Sequence, residues 1–526
     1  MIRRKCLPRR AAVLVSTAAT TAVVAMALSA CGSSSQPTTV QSAGGASSVS
    51  ESPDSTATAG QMLNAGGTPV DGGVLKIAMA ADPLCLDPHQ LSSDTEQILG
   101  QLQFDNLTYL KKDGTPGPWL ATSWTISPDG KTYTFTLKHG VTFSDGSPFN
   151  AQAVVANFKH MLDPDTRSPL AGPYIQPFKS ADILSAYKLR VHLSYAYSPF
   201  LYVLAQGWLG MESPKAIAND TPAQLCQKPV GSGPFVLTNY TQNVGVKYVR
   251  RQGYNWGPPE LGQSGGPHLA GVDISWIGQD SVRNSGLMGG QYQLSAYVPP
   301  QDAAAVEANS NFIYEDINRT GWPLTFDFNT QRAPLDDVNV RKAIVEGVNT
   351  TSIVQTSQFG QREVATSYLD AVTKFYDPSV TVPTYNPTDA NALLDQAGWK
   401  TRNADGYRTK DGKELVLSLP VSNATTPSPV YELLQAQLKQ LGIKLDVNLE
   451  PQTQVTTQRY SGDYNLLAGV WHTNTPDVLY IKYHSSQIPD AEHLGQNLAH
   501  LDDPTLDKLL LQARQTTNNA KLTSLY

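Results

Sequence analysis

Leu415-Val416-Leu417-Ser418-Leu419 precedes a helical stripe of Leu434, Leu438 and Leu441, which Gly442 closes before Ile443-Lys444-Leu445-Asp446-Val447. The two outer runs have strand length, and the apolar residues between them recur at the three- and four-residue spacing of one helix face. A glycine after the last periodic residue is a stop signal. This strand–helix–strand order predicts mixed α/β architecture built from βαβ units. The same grammar recurs elsewhere in the chain. Asn386-Pro387 starts a helix, with a cap followed by proline in the first turn, and Gly398 ends it. Val74 to Met79 alternates as a strand after Gly72-Gly73. Trp124 to Lys138 reads as a hairpin around Ser127-Pro128-Asp129-Gly130, with the apolar face of Thr132 to Leu137 at every second residue. Asn150 then caps a helix whose Val154, Phe158 and Met161/Leu162 share a face.

The length of 526 residues allows three or four compact units, and 40% apolar residues supply ample core. Only 16% of residues are charged, so the surface relies on Thr, Ser, Asn and Gln. The net charge is −6, although Arg3, Arg4, Lys5, Arg9 and Arg10 crowd the N-terminus without an acid among them. The remainder is therefore more acidic still, with no basic stripe, which excludes nucleic acid as a partner.

Met1 to Arg10 is a cationic start, and Ala11 to Leu28 is an apolar run. The run approaches the length of a membrane anchor, and a cleaved signal over residues 1–30 is the other reading. Leu28-Ser29-Ala30-Cys31-Gly32 resembles the bacterial lipobox, which implies a lipid on Cys31 and placement on the outer face of the cell membrane. Residues 31–72 are rich in Ser, Thr and Gly and read as a flexible tether, since such a tract cannot bury enough surface to order itself. A glycosylated stalk has the same composition. With Cys6 in the leader and Cys31 lipidated, Cys85 and Cys226 remain, as a disulfide or as two buried thiols.

Several segments, in one order along the chain, resemble the extracellular solute-binding proteins of family 5, the peptide and oligopeptide binders of ABC importers. They are Leu86-Asp87-Pro88, Trp119 to Trp124, Asp129 to Tyr133, Phe143-Ser144-Asp145-Gly146, Pro229 to Phe235, Tyr254-Asn255-Trp256-Gly257, Phe328-Asn329-Thr330, Pro334 to Ala343 and Leu393 to Trp399. The resemblance implies a two-lobe periplasmic-binding-protein-like fold of class II type with an extra subdomain. Residues 73–323 would form lobe I with that subdomain, and residues 324–526 lobe II, with a solute enclosed between them by hinge closure. It also implies a monomer that takes a peptide or another small molecule and docks on an ABC permease with its ATPase, without a cofactor. A non-transport surface lipoprotein, acting as a sensor or scaffold, and an inactive shortened binder are the alternatives.

Two departures from the family pattern stand out, the first of them in both ionic anchors for a short peptide. Family peptide binders hold the ligand's α-ammonium with an Asp in a Trp-x-x-Asp stretch, whereas Trp471-His472-Thr473-Asn474-Thr475-Pro476-Asp477 places Asn474 there. Dipeptide-type binders place an Arg before the Leu434 helix, where this chain has Val421-Ser422-Asn423-Ala424-Thr425-Thr426. Trp471, Asn474, Asp477, Asn423 and Asp87 are the expected ligand contacts. The second departure is at the end: Thr516 to Tyr526 looks like the family helix after which roughly fifty residues return to lobe I. That return, with its second hinge strand, is expected to be missing and a sheet edge of lobe I to lie uncovered.

Catalytic residues are not expected. Gly262-Gln263-Ser264-Gly265-Gly266 matches a nucleophile elbow but lies between Pro258-Pro259 and Pro267, in loop context. None of the nine histidines forms a ligand-spaced pair, so no metal site is expected. Asp502-Asp503 reads as a helix start and Asp336-Asp337 as a turn.

Overall fold

The computed structural model describes residues 68–526 apart from 91–94, 263–264, 317–318, 425–427 and 491–493. The leader, Cys31, the tether as far as residue 67, and Ser264 lie outside the described residues.

Val74–Met79 sits in a five-stranded sheet between Leu294–Ser295 and Gly271–Trp276, parallel to both. Gly245–Arg250 and Phe235–Thr241 extend that sheet antiparallel. One face is closed by Ile77, Met79, Val246, Tyr248, Val272 and Ile274. The hairpin forms as the alternation predicts: Ala121–Ile126 pairs Thr132–Leu137, and Tyr133, Phe135 and Leu137 point inward. Lys188–Leu193 and Phe178–Ser185 complete this second, antiparallel sheet. The Asn150 side chain accepts from the Ala153 N–H and caps the helix Ala151–Leu162. That helix buries Val154, Phe158 and Met161, while Leu162 turns outward at 36% exposure.

The second lobe is built around the parallel pair Val416–Ser422 and Lys444–Glu450, joined by the helix Pro429–Leu441. Leu434, Leu438 and Leu441 are buried as their spacing requires, and Gly442 stops the helix at φ 83°, a conformation other residues adopt only with strain. Both strands run three residues beyond their apolar runs, to Ser422 and Glu450, because ladder hydrogen bonds hold residues whose side chains carry no pattern. Asp337 caps the helix Val338–Gly347 by accepting from the Asn339 N–H, so the acidic pair read as a turn is a helix start, as Asp503 is for Pro504–Gln515.

Gly321–Phe328 pairs antiparallel with Leu466–His472 and sets Trp322 opposite Trp471. Asp327 and Lys482 form a buried ion pair at 2.7 Å beneath this pair, and the ammonium lies 4.0 Å from the Trp322 ring centre. Trp471, Val478, Tyr480, Ile481 and Leu510 belong to the same apolar cluster as Phe135, Phe158, Tyr174, Tyr197 and Trp208 of the first lobe. A separate cluster, from Leu335 to Leu466, fills the second lobe.

Cys85 and Cys226 are bonded, 141 residues apart in sequence. The Leu86 N–H donates to the Cys226 carbonyl, so the crosslink is flanked by main-chain pairing. Closing so long a loop restricts the unfolded chain by an amount worth roughly 4–5 kcal/mol. Replacing both cysteines by serine is expected to lower the unfolding free energy by about that amount in urea titrations. Mass mapping of unreduced peptides is expected to recover one linked pair.

Candidate functional site

Trp471 is the last residue but one of a strand whose partner begins at Gly321, and a Cβ at Gly321 would stand 2.2 Å from the Trp471 carbonyl oxygen. That close approach, together with φ 132°, is open only to glycine. It fixes the indole against the first lobe, edge-to-face with Tyr174 (6.0 Å) and Trp208 (6.1 Å). Such pairs are each worth about 0.5–1.5 kcal/mol beyond burial.

The chain beyond Trp471 continues along the same junction. The Thr473 hydroxyl lies 3.0 Å from the Tyr174 hydroxyl and donates to Gln206 Oε1 at 3.1 Å. Asn474 Nδ2 donates to the Tyr202 carbonyl at 2.8 Å. Several polar atoms buried here have no protein partner: Trp471 Nε1, Trp208 Nε1, Gln206 Nε2 and Asn474 Oδ1. Three of the four are donors.

Asp477 has a different environment. Its Oδ2 accepts from Arg514 Nη2 at 3.0 Å, Arg514 Nε at 3.2 Å and the Tyr197 hydroxyl at 2.8 Å, leaving Oδ1 without a protein partner. Arg514 Nη2 also donates to the Pro173 carbonyl, and the guanidinium stacks 3.9 Å from the Tyr480 ring centre. Burial, and then the Asp477 charge, push the Tyr197 hydroxyl well above its ordinary value, so it stays a donor. Asp477 was expected to face a solute. Its charge is instead matched by Arg514, because an isolated carboxylate at this depth would be too costly.

Asn423 is exposed at the end of Val416–Ser422, its N–H donating to the Glu450 carbonyl. Its neighbour Ala424 approaches the first lobe, since a Cβ at Gly278 would stand 2.4 Å from the Ala424 carbonyl oxygen. Thus Trp471, Asn474 and Asp477 are brought together against lobe I, whereas Asn423 stands on a different strand end.

Asp87 is fully buried, and its side-chain partners all belong to the first lobe. It lies among first-lobe partners, apart from the Trp471 junction. Beside it lie His89, His160 and Glu212. Burial pulls the Asp87 carboxyl upward, but the His160 hydrogen bond and the His89 charge hold it below the ordinary carboxylate range. Burial, then the Asp87 charge, push Glu212 well above its usual value. Burial takes His89 down to about 4 against the pull of Asp87. Sequence reasoning missed this group and the junction residues Tyr174, Trp208 and Arg514. Only the adjacency of Asp87 and His89 was a local signal.

The family model for bacterial extracellular solute-binding proteins, family 5 (middle region), matches residues 115–487. The chain is similar to the nickel-binding periplasmic protein of Escherichia coli (strain K12), with 26% identity over 450 residues, 84% of this chain and 83% of the relative. It is also similar to di/tripeptide-binding protein 1 of Pseudomonas aeruginosa, with 26% identity over 472 residues and 84% of each chain. Among solved structures, the oligopeptide-binding protein AppA of Bacillus subtilis in complex with a nonapeptide superposes with TM-score 0.76 at 24% identity, covering 87% of this chain and 91% of that one. The fold is therefore the two-lobe one that the resemblance implied, and these relatives are binding proteins rather than enzymes.

Asp477→Asn leaves Arg514 as an uncompensated buried charge and is expected to cost about 3–5 kcal/mol of unfolding free energy. Asn423→Ala, at an exposed site, is expected to stay within about 0.5 kcal/mol of the parent. Denaturant titration of the two variants checks both.

Proposed function

Because the chain belongs to the bacterial extracellular solute-binding proteins of family 5, we propose that it captures a peptide-like or other small polar solute between its lobes and delivers it to an ABC permease with its ATPase. In this reading Cys31 carries the lipid that holds the protein on the outer face of the cell membrane, and the tether gives it reach. Relatives are named for nickel and for di- and tripeptides, so family membership leaves the solute class to the residues of this chain.

One observation carries the assignment of solute class: the buried, unpartnered Trp471 Nε1, Trp208 Nε1, Gln206 Nε2 and Asn474 Oδ1 at the meeting of the lobes. Buried polar atoms are nearly always hydrogen-bonded, and this set offers donors and an amide oxygen without a free charge. Asn474 stands where an ammonium-binding Asp would be, and Asp477 is matched by Arg514. A solute with neutral acceptors and an apolar face for the Trp471 ring fits this chemistry. A longer, end-blocked or otherwise modified peptide, or a glycoside, is favoured over a free dipeptide.

Each charge-assisted contact missing from a zwitterion is worth roughly 1.5–3 kcal/mol, about ten- to hundredfold in affinity. Calorimetry of the mature chain is expected to find Ala-Ala binding weak or absent and unaffected by acetylation of its amine. Tight Ala-Ala binding that acetylation abolishes would overturn the solute class. Trp471→Ala is expected to weaken a bound solute more than tenfold, by loss of about 1.5 kcal/mol or more of ring contact. For anchoring, Cys31→Ser is expected to release the protein from membranes or leave its signal uncleaved. Normal processing with unchanged retention would remove the lipid anchor.

A further inference from the structure

Inside the first lobe, away from the junction of the lobes, four ligand-type side chains converge from three parts of the chain. Asp87 and His89 come from the loop after Val74–Met79, His160 from the last turn of Ala151–Leu162, and Glu212 from the segment before Pro214–Asn219. One donor atom of each lies within 4.8 Å of the other three. Asp87, His89 and Glu212 are fully buried, and His160 is 9% exposed.

His89, His160 and Glu212 are each held by one atom and leave another facing the group. His89 Nε2 lies 2.9 Å from the Gly210 carbonyl, which can only accept. Nε2 therefore carries the proton, and Nδ1, buried and without a protein partner, presents its lone pair. Glu212 Oε1 accepts from the Val230 N–H, while its buried Oε2 has no partner. Asp87 Oδ1 accepts from the His89 main-chain N–H, and Oδ2, the oxygen nearest His160, also accepts from Gln90 Nε2 at 2.5 Å. His160 Nδ1 faces the Thr166 hydroxyl at 2.9 Å, turning Nε2 towards Asp87 Oδ2 at 3.4 Å. An outer shell that fixes the tautomer of His89 and holds an oxygen of each carboxylate is how proteins orient metal ligands.

We propose that Asp87, His89, His160 and Glu212 form a structural zinc site within the first lobe. Two neutral imidazoles and two carboxylates make a four-coordinate nitrogen and oxygen set of the kind Zn²⁺ accepts. Calcium and magnesium require six or more oxygen ligands, which this enclosed group does not offer. The 3.4 Å between His160 Nε2 and Asp87 Oδ2 is about the edge of a tetrahedron with zinc bonds of about 2.0–2.1 Å. A dication also balances the two carboxylates, which otherwise lie side by side in a dry interior and must share a proton. Beside the Cys85–Cys226 bond, the ion would pin the loop after the first strand to the helix and to the segment around Glu212. The proposal does not rest on the identity of the solute.

The test uses the mature chain, stripped with chelator and then given zinc chloride alone. About one zinc per chain is expected to survive gel filtration by elemental analysis, with a thermal midpoint higher in zinc than in chelator. Cobalt(II) substitution is expected to give the intense visible absorption of a tetrahedral centre. Glu212→Gln, which keeps the side-chain shape, and His89→Gln are each expected to lose the bound zinc, whereas Trp471→Ala keeps it. If either ligand variant fails to fold, the stoichiometry and cobalt spectrum of the parent decide alone. A parent that retains no zinc and gives no tetrahedral cobalt spectrum overturns the site and leaves a proton-sharing network. A folded Glu212→Gln that binds zinc like the parent overturns this ligand set.

Discussion

The joining of the two halves of this molecule depends on a cation with no access to water. Arg514 is fully buried, and its only carboxylate partner among the described residues is Asp477, itself fully buried. Removing two such ions from water costs several kcal/mol each, recovered only when geometry and accessory hydrogen bonds are good. Those accessories come from the first lobe: the Pro173 carbonyl, the Tyr195 and Tyr197 hydroxyls, and the Ser198 N–H on the Arg514 carbonyl. The pair therefore forms only when the segment around residue 477, the helix Pro504–Gln515 and the first-lobe segments around Pro173 and Tyr195 to Ser198 are all in place. Asp327 and Lys482 repeat the device one layer away, beneath Trp322.

This arrangement separates charge used for structure from polarity left at the junction. The charges of Asp477 and Arg514 near the meeting of the lobes are spent on each other, while the atoms without partners are, Asp477 Oδ1 apart, indole N–H groups and amides. A binding face made this way discriminates by shape and neutral hydrogen bonding rather than by ionic attraction. It also differs from the interior of lobe I, where two carboxylates and two imidazoles converge.

Legibility in the sequence followed the range of the interaction. The helix Pro429–Leu441, the hairpin at Ser127 to Gly130 and the cap at Asn150 are decided by residues within a turn or two, and each forms as read. Asp336-Asp337 was misread because a turn and a helix start use the same acid, and only the helix that follows tells them apart. The junction was half legible: Trp471 and Asn474 stood out from the family pattern, but Tyr174, Trp208 and Gln206 lie more than 250 residues earlier. Asp477 looked like a spare acid because its partner, Arg514, sits in a helix with an ordinary amphipathic pattern. The Asp87 group was illegible for the same reason. His89, His160 and Glu212 are spaced by topology, and no short motif encodes that distance.

The unpartnered atoms at the junction also bear on how such a protein reports that it is loaded. A buried donor or acceptor without a partner costs about 1–3 kcal/mol. Closing the lobes on Trp471 Nε1, Trp208 Nε1, Gln206 Nε2 and Asn474 Oδ1 alone therefore carries a penalty. A solute that supplies acceptors to the donors and a donor to Asn474 removes that penalty only in the closed state, so its binding energy favours closure. The Arg514 network would oppose such a response if it lay across the same gap as a free ion pair. It is instead a buried pair whose charges are matched within the pair, apart from the separate apolar cluster from Leu335 to Leu466 that fills the second lobe. Matched charge between Asp477 and Arg514 and open neutral polar atoms at the face are complementary requirements, and they account for why one acid of the Trp471 to Asp477 stretch is retained and the other position carries an amide.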